Sequence, residues 1–168
     1  MSIRGIGEND SIFIRDNEVN SERGGLTNWG CKYALIENNR FTSFTGEMNV
    51  EGVDLANREH FEDANVDFLN NSITGFWDGI DLQGARLKSH IYNNIINASL
   101  GTGITSLFAS LDPNIFSNNV VINSSYGYFL DAREAENVLN VVNNLFLNDS
   151  ILISARPKSA KSGKNGTS

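Results

Sequence analysis

The chain has 168 residues, 40% of them hydrophobic and 20% charged, with a formal net charge of −7. That charge argues against nucleic acid and acidic membranes as partners, and no apolar run reaches the length of a membrane span. One cysteine, Cys31, permits no internal disulfide and reads as a small core residue, and the first ten residues carry no secretory signal.

In chain order, Ser2-Ile-Arg-Gly-Ile-Gly7 reads like the close of a coil that began earlier. One short pattern then recurs six times: an apolar residue, any residue, Asn or Asp, Asn, any residue, an apolar residue. Its copies cover residues 14–19, 36–41, 68–73, 91–96, 116–121 and 141–146. From the second Asn of one copy to that of the next, the steps are 22, 32, 23, 25 and 25 residues. With 24 Asn in the chain, about three adjacent pairs arise by chance, so the apolar frame around each pair carries the argument. Ile, Val or Phe always stands three before and two after the second Asn, which suits two short strands around a tight corner. Asn fits such a corner because it tolerates the left-handed backbone region.

Stacked coil on coil, Asn17, Asn39, Asn71, Asn94, Asn119 and Asn144 are expected in one column, each amide donating to the next. A further strand follows each corner from Asn39 on, in Gly52-Val-Asp-Leu55, Gly79-Ile-Asp-Leu82, Gly103-Ile-Thr105, Gly127-Tyr-Phe-Leu130 and Ile151-Leu-Ile153. Three strands per coil at a period in the twenties mark a solenoid. Leucine-rich repeats share the period but need a Leu-x-x-Leu-x-Leu run ahead of the Asn, which this chain lacks. The expectation is an all-β solenoid of about six coils at ~4.8 Å each over residues 1–155, followed by a basic, disordered tail over 156–168. Neither end shows an amphipathic capping helix, which implies a piece of a longer helix or end-on packing with flanking coils or another chain. The second coil is the longest, with inserts at 45–50 and 57–65 that are expected to form loops on the binding face. Six sequons, at Asn9, Asn70, Asn97, Asn123, Asn148 and Asn165, exceed what the composition alone provides by too little to mark glycosylation.

The pattern resembles the right-handed parallel β-helix of the pectin-lyase-like superfamily, in which an Asn ladder fills one corner of a triangular coil. The resemblance implies that fold for nearly the whole chain. It implies no single activity, since the architecture hosts lyases, hydrolases, epimerases, phage tailspikes and inert surface proteins. It points to a polysaccharide as the partner, bound or degraded by lyase or hydrolase action on acidic glycans at the strand face carrying Asp54 and Asp81. It also points to a place outside the cell or on its surface, as part of a longer protein. A non-catalytic structural or adhesive segment is the alternative.

Strand alternation sends Asp54 and Asp81 outward from adjacent coils, about 4.8 Å apart, with Glu51 and Asp78 as a second equivalent pair. Four carboxylates on one patch are tolerable when solvated, when one holds a proton, or when they share a cation. The last case makes Glu51, Asp54, Asp78 and Asp81 candidate Ca²⁺ ligands. Trp77 beside the cluster, and Trp29 one coil before it, offer faces for sugar rings. Tyr126 and Phe129 lie two coils later, while Tyr128 takes the inward place of Ile80. His60, in the longer insert, is a candidate contact that titrates near neutral pH. Outward Asp residues also serve as plain solubilising surface.

Trp77-Asp78-Gly79-Ile80-Asp81 is similar to the Asn-Thr-Asp-Gly-x-Asp segment of the polygalacturonase family, which implies a catalytic role for Asp78 beside Asp81. The chain departs from that family elsewhere. Phe76-Trp77 replaces the Asn-Thr, Ser99-Leu-Gly-Thr102 stands where the family has a pair of Asp, and Ser125-Tyr-Gly127 stands where it has Gly-His-Gly. The superfamily's lyases imply a different chemistry, in which Ca²⁺ neutralises a uronate and Lys or Arg removes the C5 proton. Arg86, Lys88 and His90 alternate along the next segment, so Arg86 and Lys88 are the candidate bases. Basic residues at that spacing also make an ordinary solvated face.

Overall fold

The computed structural model describes residues 2–4, 11–29, 31–56, 64–83, 87–98, 100–107, 114–131 and 139–156. Among them every regular element is a strand, and there is no helix. Strand β1 (Ser2–Arg4) leads. The first coil holds β2 (Ser11–Arg15), β3 (Glu18–Asn20) and β4 (Leu26–Trp29), and the second holds β5 (Tyr33–Glu37), β6 (Arg40–Thr42) and β7 (Glu51–Ala56). The third has β8 (Ala64–Leu69), β9 (Ser72–Thr74) and β10 (Asp78–Gln83), and the fourth β11 (Leu87–Tyr92), β12 (Ile95–Asn97) and β13 (Thr102–Leu107). The fifth has β14 (Asn114–Ser117), β15 (Val120–Ile122) and β16 (Tyr126–Asp131), and the sixth β17 (Leu139–Val142), β18 (Leu145–Leu147) and β19 (Ile151–Arg156).

Every third strand pairs, which closes the chain into a parallel β-helix. Sheet A is β1-β4-β7-β10-β13-β16-β19, sheet B runs from β2 to β17 and sheet C from β3 to β18. Inward residues stack by type in register. Ile14, Ile36, Phe68, Ile91 and Phe116 form the column of sheet B. Phe41, Ile73, Ile96 and Val121 form that of sheet C. Leu26, Val53, Ile80, Ile104 and Tyr128 form that of sheet A. All of these are buried, each worth about 1.5–3 kcal/mol of apolar transfer. Tyr128 is inward as expected, its ring 5.3 Å from that of Phe116, and burial pushes its phenol pKa up.

The corner between sheets B and C is built by the Asn doublets. The first residue of each takes the left-handed conformation: Asp16, Asn38, Asn93 (φ 57), Asn70, Asn118 (φ 56) and Asn143 (φ 54). The second forms the expected column. Asn17 donates through Nδ2 to Asn39 Oδ1 at 2.9 Å, Asn39 to Asn71 at 3.0 Å, and Asn71 to Asn94 at 3.3 Å. Asn94 donates to Asn119 and Asn119 to Asn144, both at 2.9 Å. Each acceptor oxygen also takes the backbone N–H of the preceding rung, as Asn94 Oδ1 does from Asn71 at 2.8 Å.

At the corner between sheets C and A, the glycines opening the sheet A strands stack on each other. A Cβ on Gly79 would run into the Gly103 carbonyl oxygen and Ile96 Cγ2, and one on Gly103 into Val121 Cγ1. Only hydrogen at these positions lets the inward residue of sheet C lie against the backbone of sheet A. Cys31 is buried, its thiol donating to Asn28 Oδ1 at 3.0 Å. In the sixth coil the core opens, since Ile153 is 53% exposed where its register partner Tyr128 is 2% exposed. Strand β19 runs to Arg156, one residue into the segment expected to be tail, and 157–168 lie outside the described residues.

Candidate functional site

Alternation along the sheet A strands puts one column of side chains outward: Thr27, Asp54, Asp81, Thr105, Phe129 and Ser154. A second outward column brings Glu51 level with Asp78, and Thr102 level with Tyr126. The two pairs of acids therefore sit coil over coil as expected. Two coils on, the same face turns aromatic, with the rings of Tyr126 and Phe129 edge to face at 5.8 Å.

The acids differ in how far they reach solvent. Glu51, Asp54 and Asp78 are half-buried, but Asp81 is only 5% exposed. Alternation fixes which side of the sheet a residue leaves from, not whether water reaches it. Gln83 donates its Nε2 to Asp81 Oδ2, while Oδ1 is buried with no hydrogen-bond donor. Burial pushes the Asp81 carboxyl up to about 7; the Gln83 bond opposes this, and the charges of Asp54, Glu51 and Asp78 add to it. Asp78 is also raised by burial, against the pull of Thr102, whose backbone N–H donates to its Oδ1. It thus ties the third coil to the fourth.

Trp77 is half-buried at the edge of this patch. Its carbonyl accepts the Gly101 N–H at 3.0 Å, and a Cβ on Gly101 would lie 2.7 Å from its Cδ1. Gly101 thus makes room for the indole. The first insert of the second coil leads into β7 and exposes Met48, 65% exposed, as Phe44 just before it is at 77%. Trp29 closes β4 level with Ala56, and its side chain is outside the described set. His60 and Arg86, with most of the second insert, also lie outside the described residues.

Lys88 and His90 do share one face of β11, but it is the outer face of sheet B, whereas the four acids belong to sheet A. On sheet B they join residues that the sequence reading passed over. His90 Nδ1 lies 3.0 Å from Asp67 Oδ1, and Tyr33 donates its hydroxyl to Asp67 Oδ2 at 2.9 Å. Arg15 Nε meets Glu37 Oε1 at 2.7 Å, and its guanidinium lies 5.2 Å from the centre of the Phe13 ring. The Tyr33 phenol is pushed up by burial and by Asp67. Counting back four residues from each second Asn places Phe13, Leu35, Asp67 and His90 in one row, a signal available in the sequence.

Among the described residues, no group of three or more His, Cys, Asp or Glu side chains is arranged to hold a metal ion. With Asp78 turned to Thr102 and Asp81 to Gln83, the four acids do not fit a Ca²⁺ centre, which needs six to eight oxygens converging on one point.

Three parallel sheets stacked coil on coil around an amide-filled corner, with a mixed carboxylate and aromatic face outside, define a β-solenoid with a polar outer face. The family model described as the right handed beta helix region matches residues 3–163, so the chain belongs to that family. This agrees with the resemblance to the pectin-lyase-like superfamily. No curated protein and no solved structure matches the chain.

Proposed function

We propose that the outer face of sheet A binds a polysaccharide chain lying along the solenoid axis, without efficient turnover. The observation that supports this reading is the in-register column Thr27, Asp54, Asp81, Thr105 and Phe129, bordered by Trp77 and Tyr126. Carboxylates and hydroxyls spaced at about 4.8 Å match the repeat of sugar hydroxyls, and the aromatic rings offer apolar faces to sugar C–H groups. Uronates facing these acids would meet like charge, so neutral or amino-sugar chains suit the face better.

Chemistry is poorly served here. A glycosidase needs a protonated carboxyl and a carboxylate about 5–5.5 or 6.5–9.5 Å apart across the bond to be cleaved. Burial suits Asp81 to hold the proton, but Asp78, its nearest counterpart in the family motif, holds the Thr102 amide. That second bond also favours another reading, a structural or adhesive solenoid segment whose acids pin coils together. Affinity electrophoresis with chitosan, xylan, pectate and alginate tests the choice. Binding to at least one is expected, weakened by about 1–3 kcal/mol in Trp77→Ala; full binding by that variant would refute the platform. Strong release of unsaturated products or new reducing ends would show that the patch is catalytic.

A further inference from the structure

We propose that the outer face of sheet B is a second saccharide-binding surface, in which the Phe13 ring stacks on one sugar and His90 Nε2 hydrogen-bonds a hydroxyl of another. The argument begins at Asp67. Both its oxygens are committed, one to the Tyr33 hydroxyl and one to His90 Nδ1. Nδ1 therefore faces Asp67 as the donor, and Nε2 is turned away from it, open to a ligand hydroxyl. The side chain of His90 is 51% exposed and that of Asp67 29%. A surface histidine normally loses rotamer freedom on binding a ligand; here Asp67, itself held by Tyr33, fixes the ring beforehand.

Phe13 stands in the same row three coils away and is 59% exposed. Three coil steps are about 14 Å, roughly the reach of three hexose units. Its ring is fixed too, edge to face with Tyr33 at 6.2 Å and with the Arg15 guanidinium over the ring at 5.2 Å, so a sugar would stack on the opposite face. Tyr92 flanks His90 on the same strand face and is half-buried. Orienting an exposed ring at one end and an imidazole at the other suits an extended neutral glycan, whose apolar faces and hydroxyls alternate along the chain. None of these residues belongs to sheet A, so the proposal stands independently of the reading above.

The intact chain is titrated calorimetrically with cellohexaose, chitohexaose and hexagalacturonate, alongside Phe13→Ala, His90→Ala, His90→Gln and Asp67→Asn. Circular dichroism checks folding, and the exposure of Phe13 and His90 makes both tolerant positions. For cellohexaose or chitohexaose, Phe13→Ala and His90→Ala should each lower affinity about tenfold, with His90→Gln recovering part of it. Hexagalacturonate should bind more weakly than either; tightest binding of hexagalacturonate overturns the neutral glycan as occupant. Asp67→Asn should lower it as well and shift the imidazole ¹⁵N resonances away from the Nδ1–H tautomer, a change that simple loss of packing does not produce. Equal affinity of the wild type, Phe13→Ala and His90→Ala for every hexaose, or no binding by the wild type, overturns the proposal. Binding lost in Trp77→Ala but kept in the sheet B variants overturns it while leaving sheet A standing, and the reverse pattern overturns sheet A alone.

Discussion

Two columns of polar side chains run the length of this solenoid, and physical chemistry treats them in opposite ways. At the corner between sheets B and C, Asn39, Asn71, Asn94 and Asn119 are buried, yet each oxygen and nitrogen has a partner. On the face of sheet A, Asp81 is buried over Asp54, and one of its oxygens has no donor. An amide carries both donors and an acceptor, so identical amides stacked on each other are mutually complementary. A carboxylate carries acceptors only, so identical carboxylates stacked on each other repel and need a proton or an outside donor. The Asn column is therefore complete within the fold. The Asp column is complete only with something added, and that is why the functional proposal rests there.

The largest effect comes from breaking the complete column. Asn94→Ala removes the acceptor of the Asn71 N–H and Nδ2 groups, and the donor to Phe68 and Asn119. Each buried group left unpaired costs about 1–3 kcal/mol, so a loss of about 4 kcal/mol or more is expected in urea denaturation. A loss below about 1 kcal/mol would mean that water replaces the missing rung.

Next in size is the proton on the incomplete column. The folded Asp81 titrates near 7, above the ~3.9 of an unfolded Asp. The folded chain therefore binds the extra proton between those values, and its stability falls as pH rises from about 4 through 7. At roughly 1.4 kcal/mol per unit, the full span is up to about 4 kcal/mol. Denaturation midpoints should be higher at pH 5 than at pH 8, and Asp81→Asn should reduce that difference while stabilising the protein at pH 8. An unchanged pH profile in Asp81→Asn would place the proton elsewhere, with Asp78 and Asp149 as the other carboxyls raised by burial among the described residues.

These contrasts explain what could be read from the residues alone. The Asn column, the inward place of Tyr128 and the pairing of Asp54 with Asp81 all follow from period and alternation, which are local properties repeated in every coil. Burial of Asp81 was not legible, because it depends on where the Gln83 side chain folds. The tie between Asp78 and the Thr102 amide depends on loop geometry at the corner between sheets C and A, where the repeat length varies. Lys88 and His90 were correctly placed on one face, but which sheet that face belongs to depends on the number of strands in each coil. Once the coils are aligned on their Asn, Asp67 falls beside His90 and the sheet B constellation emerges.

The smallest predicted effect isolates burial as the variable. A second amide stack lies at the corner between sheets C and A, where Asn148 donates to Asn123 at 3.2 Å and Asn123 to Asn97 at 3.0 Å. These bonds have the same chemistry as the first ladder, but they are exposed. Asn123 and Asn148 also take the left-handed conformation, with φ of 60 and 58. Asn123→Gly keeps that conformation available and deletes only the amide. Since water can satisfy the exposed partners, the expected change in stability is within about 0.5 kcal/mol, against several for Asn94→Ala. A cost for Asn123→Gly approaching that of Asn94→Ala would show that stacking of amides, and not their burial, carries the strength of the Asn column.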